Sequence, residues 1–239
     1  GLPWLSSSLA EVRLGDGTLA GSTSFTAVMW HWPEGSLSGS TGKTIVNFGN
    51  FYMVAGHPKA NYDYRCNVYT NLGSGDTPLT LPALTPDAWN FIFLRWDQTA
   101  GKYEAGVIDS GTLYTSSVTP GPGAYLNATG LCRISYPGYG VSGRIDCFGI
   151  YTRALEDAEI QEIYSTTNSL VDYPFKEITL RTDLKYFFPM DTDGTWPEIV
   201  SKKPSIFTEV NSPATVAGKI GNAIRCTGAS EYLQETTAG

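Results

Sequence analysis

Residues 88–98, AWNFIFLRWDQ, place apolar side chains on both parities: Trp89, Phe91 and Phe93 on one, Ile92, Leu94 and Trp96 on the other. Successive side chains of an extended chain point to opposite faces, so this run fits only as a strand covered on both sides. Such a strand needs a layer above it and a layer below it. The rest of the chain supplies short segments of the same kind. SFTAVMWHW (24–32), KTIVNFG, FYMVAG, KYEAGVID (102–109), GLCRIS and GRIDCFGIYT stand between clusters of Gly, Pro, Ser and Thr, in a chain with 26 Gly and 14 Pro. That punctuation reads as strands joined by turns. One segment alone has helical spacing. In LEDAEIQEIYS, 155–165, the residues Ile160, Ile163 and Tyr164 recur at i, i+3 and i+4. Residues 166–182 keep no period and read as a connector; DLKYFFPM, PSIFTEV, NAIRCTG and EYLQE then resume the strand pattern. Many short strands with one short helix predict an all-β sandwich or jelly roll.

Composition removes several function classes. A hydrophobic fraction of 41%, with 14 Tyr, 10 Phe and 6 Trp, can bury a core and excludes a disordered chain. The net charge of −7, with 16 scattered basic residues, excludes nucleic acid as a partner. No apolar run approaches the roughly 18 residues of a membrane span, so no membrane insertion is expected. Cys66, Cys132, Cys147 and Cys226 form no C-x-x-C pair, and with only His31 and His57 a transition-metal site has little to draw on. Cysteine usage leaves the compartment open. The start, GLPWLSSSLAEVRL, lacks the basic and long apolar regions of a signal peptide. Either a leader preceded Gly1, or the chain was made in a cytosol and lost only its initiator Met, a route that suits a virion component released by lysis.

The run 143–165, GRIDCFGIYTRALEDAEIQEIYS, resembles the end of a laminin-G-like jelly roll of the concanavalin A-like lectin/glucanase superfamily. The matching residues are Gly143, Ile145, Asp146, Ile150, Tyr151, Arg153, Ala154, Leu155, Glu159 and Ile160. SFTAVMWHW and AWNFIFLRWDQTAGKYEAGVIDSG resemble the family's early and middle strands, in the family's order. The helix start departs from it, with Glu156 where Ser or Thr caps better. Residues 183–239 resemble instead the beginning of the same fold, through Val216, Gly218, Lys219, Gly221 and Ala223. The end of the fold thus precedes its start. Under one reading, residues 1–165 and 183–239 together form one circularly permuted jelly roll, joined by connector 166–182. Under a second, 183–239 completes a neighbouring subunit, and under a third the chain is cut from a tandem array.

SGSTGKT, 38–44, lacks the first Gly of a phosphate loop and precedes a strand, not a helix. GSLSG, 35–39, carries Leu37 at the nucleophile position. Glycoside hydrolysis needs two carboxylates about 5–9 Å apart, and no strand carries such a pair. Asp146 stands with Phe148 and Ile150 at its parity, while Glu156, Asp157, Glu159 and Glu162 lie on the helix as first-turn and solvated charges. A catalytic site is therefore not expected. Loop aromatics are the better lead: Tyr136 and Tyr139 in YPGYG, and Asn61, Tyr62, Asp63 and Tyr64 in HPKANYDYR, can stack on and hydrogen-bond to sugars. The competing reading has these tyrosines capping the sandwich edge. The resemblance implies a structural Ca2+ at Asp146 and Asp191 with Asp193 nearby, against ordinary turn carboxylates. NAT, 127–129, fits a glycosylation acceptor. A symmetric hairpin around 136–142 would set Cys132 beside Cys147. The expected function is a non-catalytic lectin-type module, extracellular or on a virion surface, whose partner is a glycan such as a host-surface carbohydrate. The alternative is a structural assembly protein, a capsid decoration or a fibre or filament subunit, whose partners are other virion or surface proteins and copies of itself; a glycan hydrolase ranks third.

Overall fold

A computed structural model describes residues 12–14, 24–34, 43–48, 51–55, 65–68, 77–82, 85–119, 132–134, 143–168, 183–188, 207–210, 214–226 and 232–235. Strands dominate them. In chain order they are β1 (Val12–Leu14), β2 (Ser24–Pro33), β3 (Lys43–Phe48), β4 (Phe51–Ala55), β5 (Arg65–Val68), β6 (Thr77–Thr80), β7 (Asn90–Asp97), β8 (Lys102–Asp109), β9 (Thr112–Val118), β10 (Cys132–Ile134) and β11 (Gly143–Tyr151). Helix α1 (Asp157–Asn168) follows, then β12 (Leu184–Phe188), β13 (Phe207–Val210), β14 (Ala214–Ala217), β15 (Asn222–Cys226) and β16 (Tyr232–Glu235). One sheet runs β1-β10-β3-β4-β5-β6; the other runs β14-β15-β11-β2-β7-β8-β9, with β12 also on β11; β13 and β16 pair apart. All pairings are antiparallel. This is an all-β jelly-roll sandwich with a single helix among the described residues.

Residues 90–97 of the doubly apolar run form β7, with β2 and β8 beside it, and Trp89 lies just before the strand. Its two parities face two cores. Phe91 and Phe93 join Val28, Trp30, Ile108, Cys147 and Tyr151 in a cluster closed by Leu155, Ile160 and Ile163 of the helical segment and by Leu184 and Phe187. On the opposite face, Phe25, Ala27 and Met29 meet Trp96, Leu94 and Ile92 across the ladder, all at most 1% exposed. Trp96 and Tyr103 stack there with centroids 4.0 Å apart. Burying each of the three aliphatic residues of the helical segment contributes about 1.5–3 kcal/mol, far more than the helix's own propensity. The helix begins where expected and runs to Asn168, because Thr167 still has a core partner: its Oγ1 accepts the Trp30 indole N–H at 2.8 Å.

The poor cap at Glu156 is compensated from inside the helix. The Glu159 carboxylate accepts the Glu156 backbone N–H at 2.9 Å and pairs with Arg153 through both oxygens, at 2.7 and 2.6 Å. That is the returning half of a capping box, made by a residue already third in the helix.

Two sequence expectations are corrected. Cys132 and Cys147 are not hairpin neighbours: β10 lies between β1 and β3 in the six-stranded sheet, while β11 lies between β2 and the pair β15 and β12 in the other. Asp146 does not share a face with Phe148 and Ile150. Cys147 adopts φ 52°, and the β11–β2 register shifts between Asp146 and Gly149, so a bulge brings Asp146 opposite Trp30 on the helix side.

Candidate functional site

β11 organises the described side chains that can do chemistry. One edge takes β2 along its length; the other takes β15 at Gly143–Ile145 and β12 from Phe148 to Tyr151. At the change-over, fully buried Asp146 accepts the backbone N–H groups of Lys219 and Ile220 at 2.7 and 3.0 Å and the Cys147 thiol at 3.2 Å. Gly218 is required there: a Cβ would lie 2.3 Å from the Asn222 carbonyl oxygen and 2.6 Å from Asp146 Oδ2. The Lys219 ammonium sits 4.7 Å from the Trp30 ring centroid; burial lowers its pKa, opposed by Cys147 and Asp146. Asp146 is surrounded by hydrogen-bond donors and a cation, which is not the oxygen-rich setting calcium needs. No cluster of three or more His, Cys, Asp or Glu among the described residues can hold a metal ion.

Toward the helix start, a cleft of about 430 Å³ is lined by Arg95, Asp97, Lys102, Glu104, Glu156 and Asp157, with Leu155 and small residues between. Arg95 binds Glu104, Asp157 at 2.8 Å and the Leu155 carbonyl; Lys102 adds a second cation to Glu104 at 2.8 Å. Asp97 accepts the backbone N–H groups of Thr99 and Ala100 at 2.9 and 3.1 Å. Except for Glu156, each acid is engaged in holding strand, turn or helix. The cleft is a charge-saturated joint.

At the other end of the same sheet face the balance differs. Arg144 is the register partner of Trp32 on β2 and of Arg225 on β15, and Trp89 stands beside Trp32 with centroids 5.7 Å apart at 72°. Three adjacent strands and the residue just before β7 thus present Trp89, Trp32, Arg144 and Arg225 in one row, about 14 Å long at the usual strand spacing. Arg144 lies 5.0 Å over the Trp32 ring. Glu34 takes the Nε–H of Arg225 at 2.8 Å and that of Arg144 at 3.2 Å, while the Arg225 side chain remains 42% exposed. Both Trp residues are half-buried. The row joins residues far apart in sequence, which is why sequence reading assigned its two Trp residues to strands and passed over its arginines.

The loop residues singled out from sequence, Asn61, Tyr62, Asp63, Tyr64, Tyr136 and Tyr139, lie outside the described residues, as do Asp191 and Asp193. The segment bearing Tyr136 and Tyr139 enters β11 at Gly143, directly before Arg144.

A family model described as the concanavalin A-like lectin/glucanases superfamily matches residues 7–161. No curated protein matches the chain. Among solved structures, a candidate carbohydrate-binding protein from Bacteroides ovatus superposes with a TM-score of 0.58 at 14% identity, over 83% of this chain and 56% of that one. This chain therefore spans little more than half of that protein. The CBM40 of a Ruminococcus gnavus IT-sialidase, bound to α2,3-sialyllactose, gives 0.48 at 15% identity over 66% and 92% of the two chains. Domain 4 of an extracellular GH43 arabinanase from Geobacillus stearothermophilus, in complex with arabinotriose, gives 0.46 at 17% identity over 65% and 74%.

Proposed function

The chain belongs to the concanavalin A-like lectin/glucanase superfamily, and from that premise we propose that it is a non-catalytic carbohydrate-binding module displayed on a cell or virion surface. The observation that carries the reading is the Trp89–Trp32–Arg144–Arg225 row. Sugar recognition needs an apolar surface for ring faces and fixed donors for oxygens, and the row holds both, with Trp32, Arg144 and Arg225 on paired strands and Trp89 packed edge-on against Trp32. The similarity in fold to a candidate carbohydrate-binding protein supports it. Tyr136 and Tyr139, with Asn61, Tyr62, Asp63 and Tyr64, belong to the same proposal as further sugar contacts, on their residue types alone. A glycan array probed with the purified chain tests this. Retention of a defined glycan set is expected; an empty array, with an ordered oligomer in native mass measurement, puts the assembly role in its place. Hydrolysis of a retained glycan, abolished by one Asp or Glu substitution, would overturn the non-catalytic part.

The permuted domain belongs to the same proposal: residues 1–165 and 183–239 form one sandwich in a single subunit. The pairing of β12 and β15 with β11, and the closeness of β16 to β1, support it. A chain ending at Asn168 is expected to be insoluble, or soluble only when 183–239 is supplied in trans. A soluble, cooperatively unfolding 1–168 would refute the assignment. The structural Ca2+ implied by the resemblance is left to Asp191 and Asp193, since Asp146 already accepts the Lys219 and Ile220 N–H groups; unfolding temperatures with Ca2+ and with EDTA measure it.

A further inference from the structure

We propose that the Trp89–Trp32–Arg144–Arg225 row takes acidic saccharides, those bearing a uronate or sialate carboxylate, in preference to neutral ones. This rests on the carbohydrate-binding reading above and names the ligand class of that site. Its charge balance is the first reason. Among the described residues, two guanidinium groups pair with one carboxylate, Glu34, so the row itself carries a net positive charge within a chain of net charge −7. A local surplus of that sign on an acidic protein points to an anionic ligand.

The donor geometry is the second reason. Glu34 holds Arg225 by its Nε–H, at 2.8 and 2.9 Å to the two oxygens. The two terminal nitrogens of that guanidinium have no partner among the described residues, on a side chain 42% exposed. Guanidinium donors suit the paired oxygens of a carboxylate, and charge-assisted bonds of this kind are roughly twice as strong as neutral ones. Arg144 is fixed more tightly, between Glu34 and the Trp32 ring, and reaches the Ala217 carbonyl at 3.5 Å. It serves as the wall between the aromatic and the cationic halves. A saccharide over Trp32 would then carry a carboxylate toward Arg225, two strand spacings or about 10 Å away.

The test is a glycan array holding uronate-bearing, sialate-bearing and neutral glycans, probed with wild type, Trp32→Phe, Trp32→Ala and Arg225→Gln. Melting curves confirm that each variant is folded. Wild type is expected to retain acidic glycans. Arg225→Gln and Trp32→Ala should each weaken them about tenfold, a change well within the reach of one charge-assisted bond or one ring contact, while Trp32→Phe keeps most of the binding. Esterifying the carboxylates of a retained uronate oligosaccharide should produce a loss of the same size as Arg225→Gln. Neutral glycans retained with the row variants unchanged would overturn this inference and leave the carbohydrate-binding reading standing. Acidic glycans retained equally by all variants would also overturn it. An array on which nothing is retained removes both.

Discussion

Two arginine–carboxylate clusters stand on one face of the eight-stranded sheet, and they differ in stoichiometry. Around Arg95, acids outnumber cations, and the Arg95 and Glu104 side chains are 13% and 3% exposed. Around Glu34, among the described residues, two arginines share one acid, and an aromatic ring packs on Arg144. The same pair of functional groups therefore serves opposite ends. Saturated and buried, it locks the β7–β8 hairpin to the helix start; left unsaturated at the surface, it offers donors to something else. Reading charge clusters by which side is in excess separates the structural from the available.

Arg95→Ala should produce the largest effect, about 3–5 kcal/mol of lost stability in urea unfolding, because it strands buried Glu104 without its main partner. An equal loss from a variant of the Glu34 cluster would erase the contrast. Acid probes the far side of β2 next to the row. His31 precedes Trp32, is fully buried, and neither ring nitrogen has a hydrogen-bond partner; burial lowers its pKa from 6.5 to about 3. Below pH 6.5 the unfolded chain takes up a proton that the folded chain refuses until about pH 3, so stability falls as pH falls through this window. Near pH 4 the loss is ~3 kcal/mol, and the difference in acid unfolding between wild type and His31→Leu isolates it from the carboxylates of either cluster. A difference that does not change between about pH 7 and pH 4 would contradict the buried neutral imidazole. Asp146, between the clusters on β11, should cost ~2 kcal/mol as Asp146→Ala, since two backbone N–H groups lose their acceptor. Arg225→Gln should cost under ~1 kcal/mol, as an exposed pair does. A larger loss would make the row structural.

Much of this architecture is written locally. The limits of β8 and the start of β2 follow from alternation and turn residues, and β7 declares two cores by filling both parities. The helix is legible because Ile160, Ile163 and Tyr164 fall on one stripe. What escapes such reading depends on pairing. The bulge at Cys147 changes which residues of β11 look toward the helix, and no period in GRIDCFGIY announces it. The aromatic–arginine row exists only once β7, β2, β11 and β15 are in register. Parity assigns a residue to a face; it cannot say which other strands share that face at that height. The resemblance to a known family helped where segments matched, at both ends of β11's partnership, but carried no information about Arg225, which lies beside the matched positions and not among them.

The divided edge of β11 has a consequence in time. Its upstream neighbour β2 is synthesised first, but β12 and β15 arrive later, the last of them roughly 75 residues after Tyr151. At about 5–20 residues per second, a nascent chain carries that strand with one side unpaired for roughly 4–15 s. During this interval the hydrogen-bonding groups of β11 and the apolar surface later covered by Leu184, Phe187, Ala223 and Ile224 are open to any passing strand. A strand inside the finished sheet is thus an edge of the growing one until translation reaches Cys226.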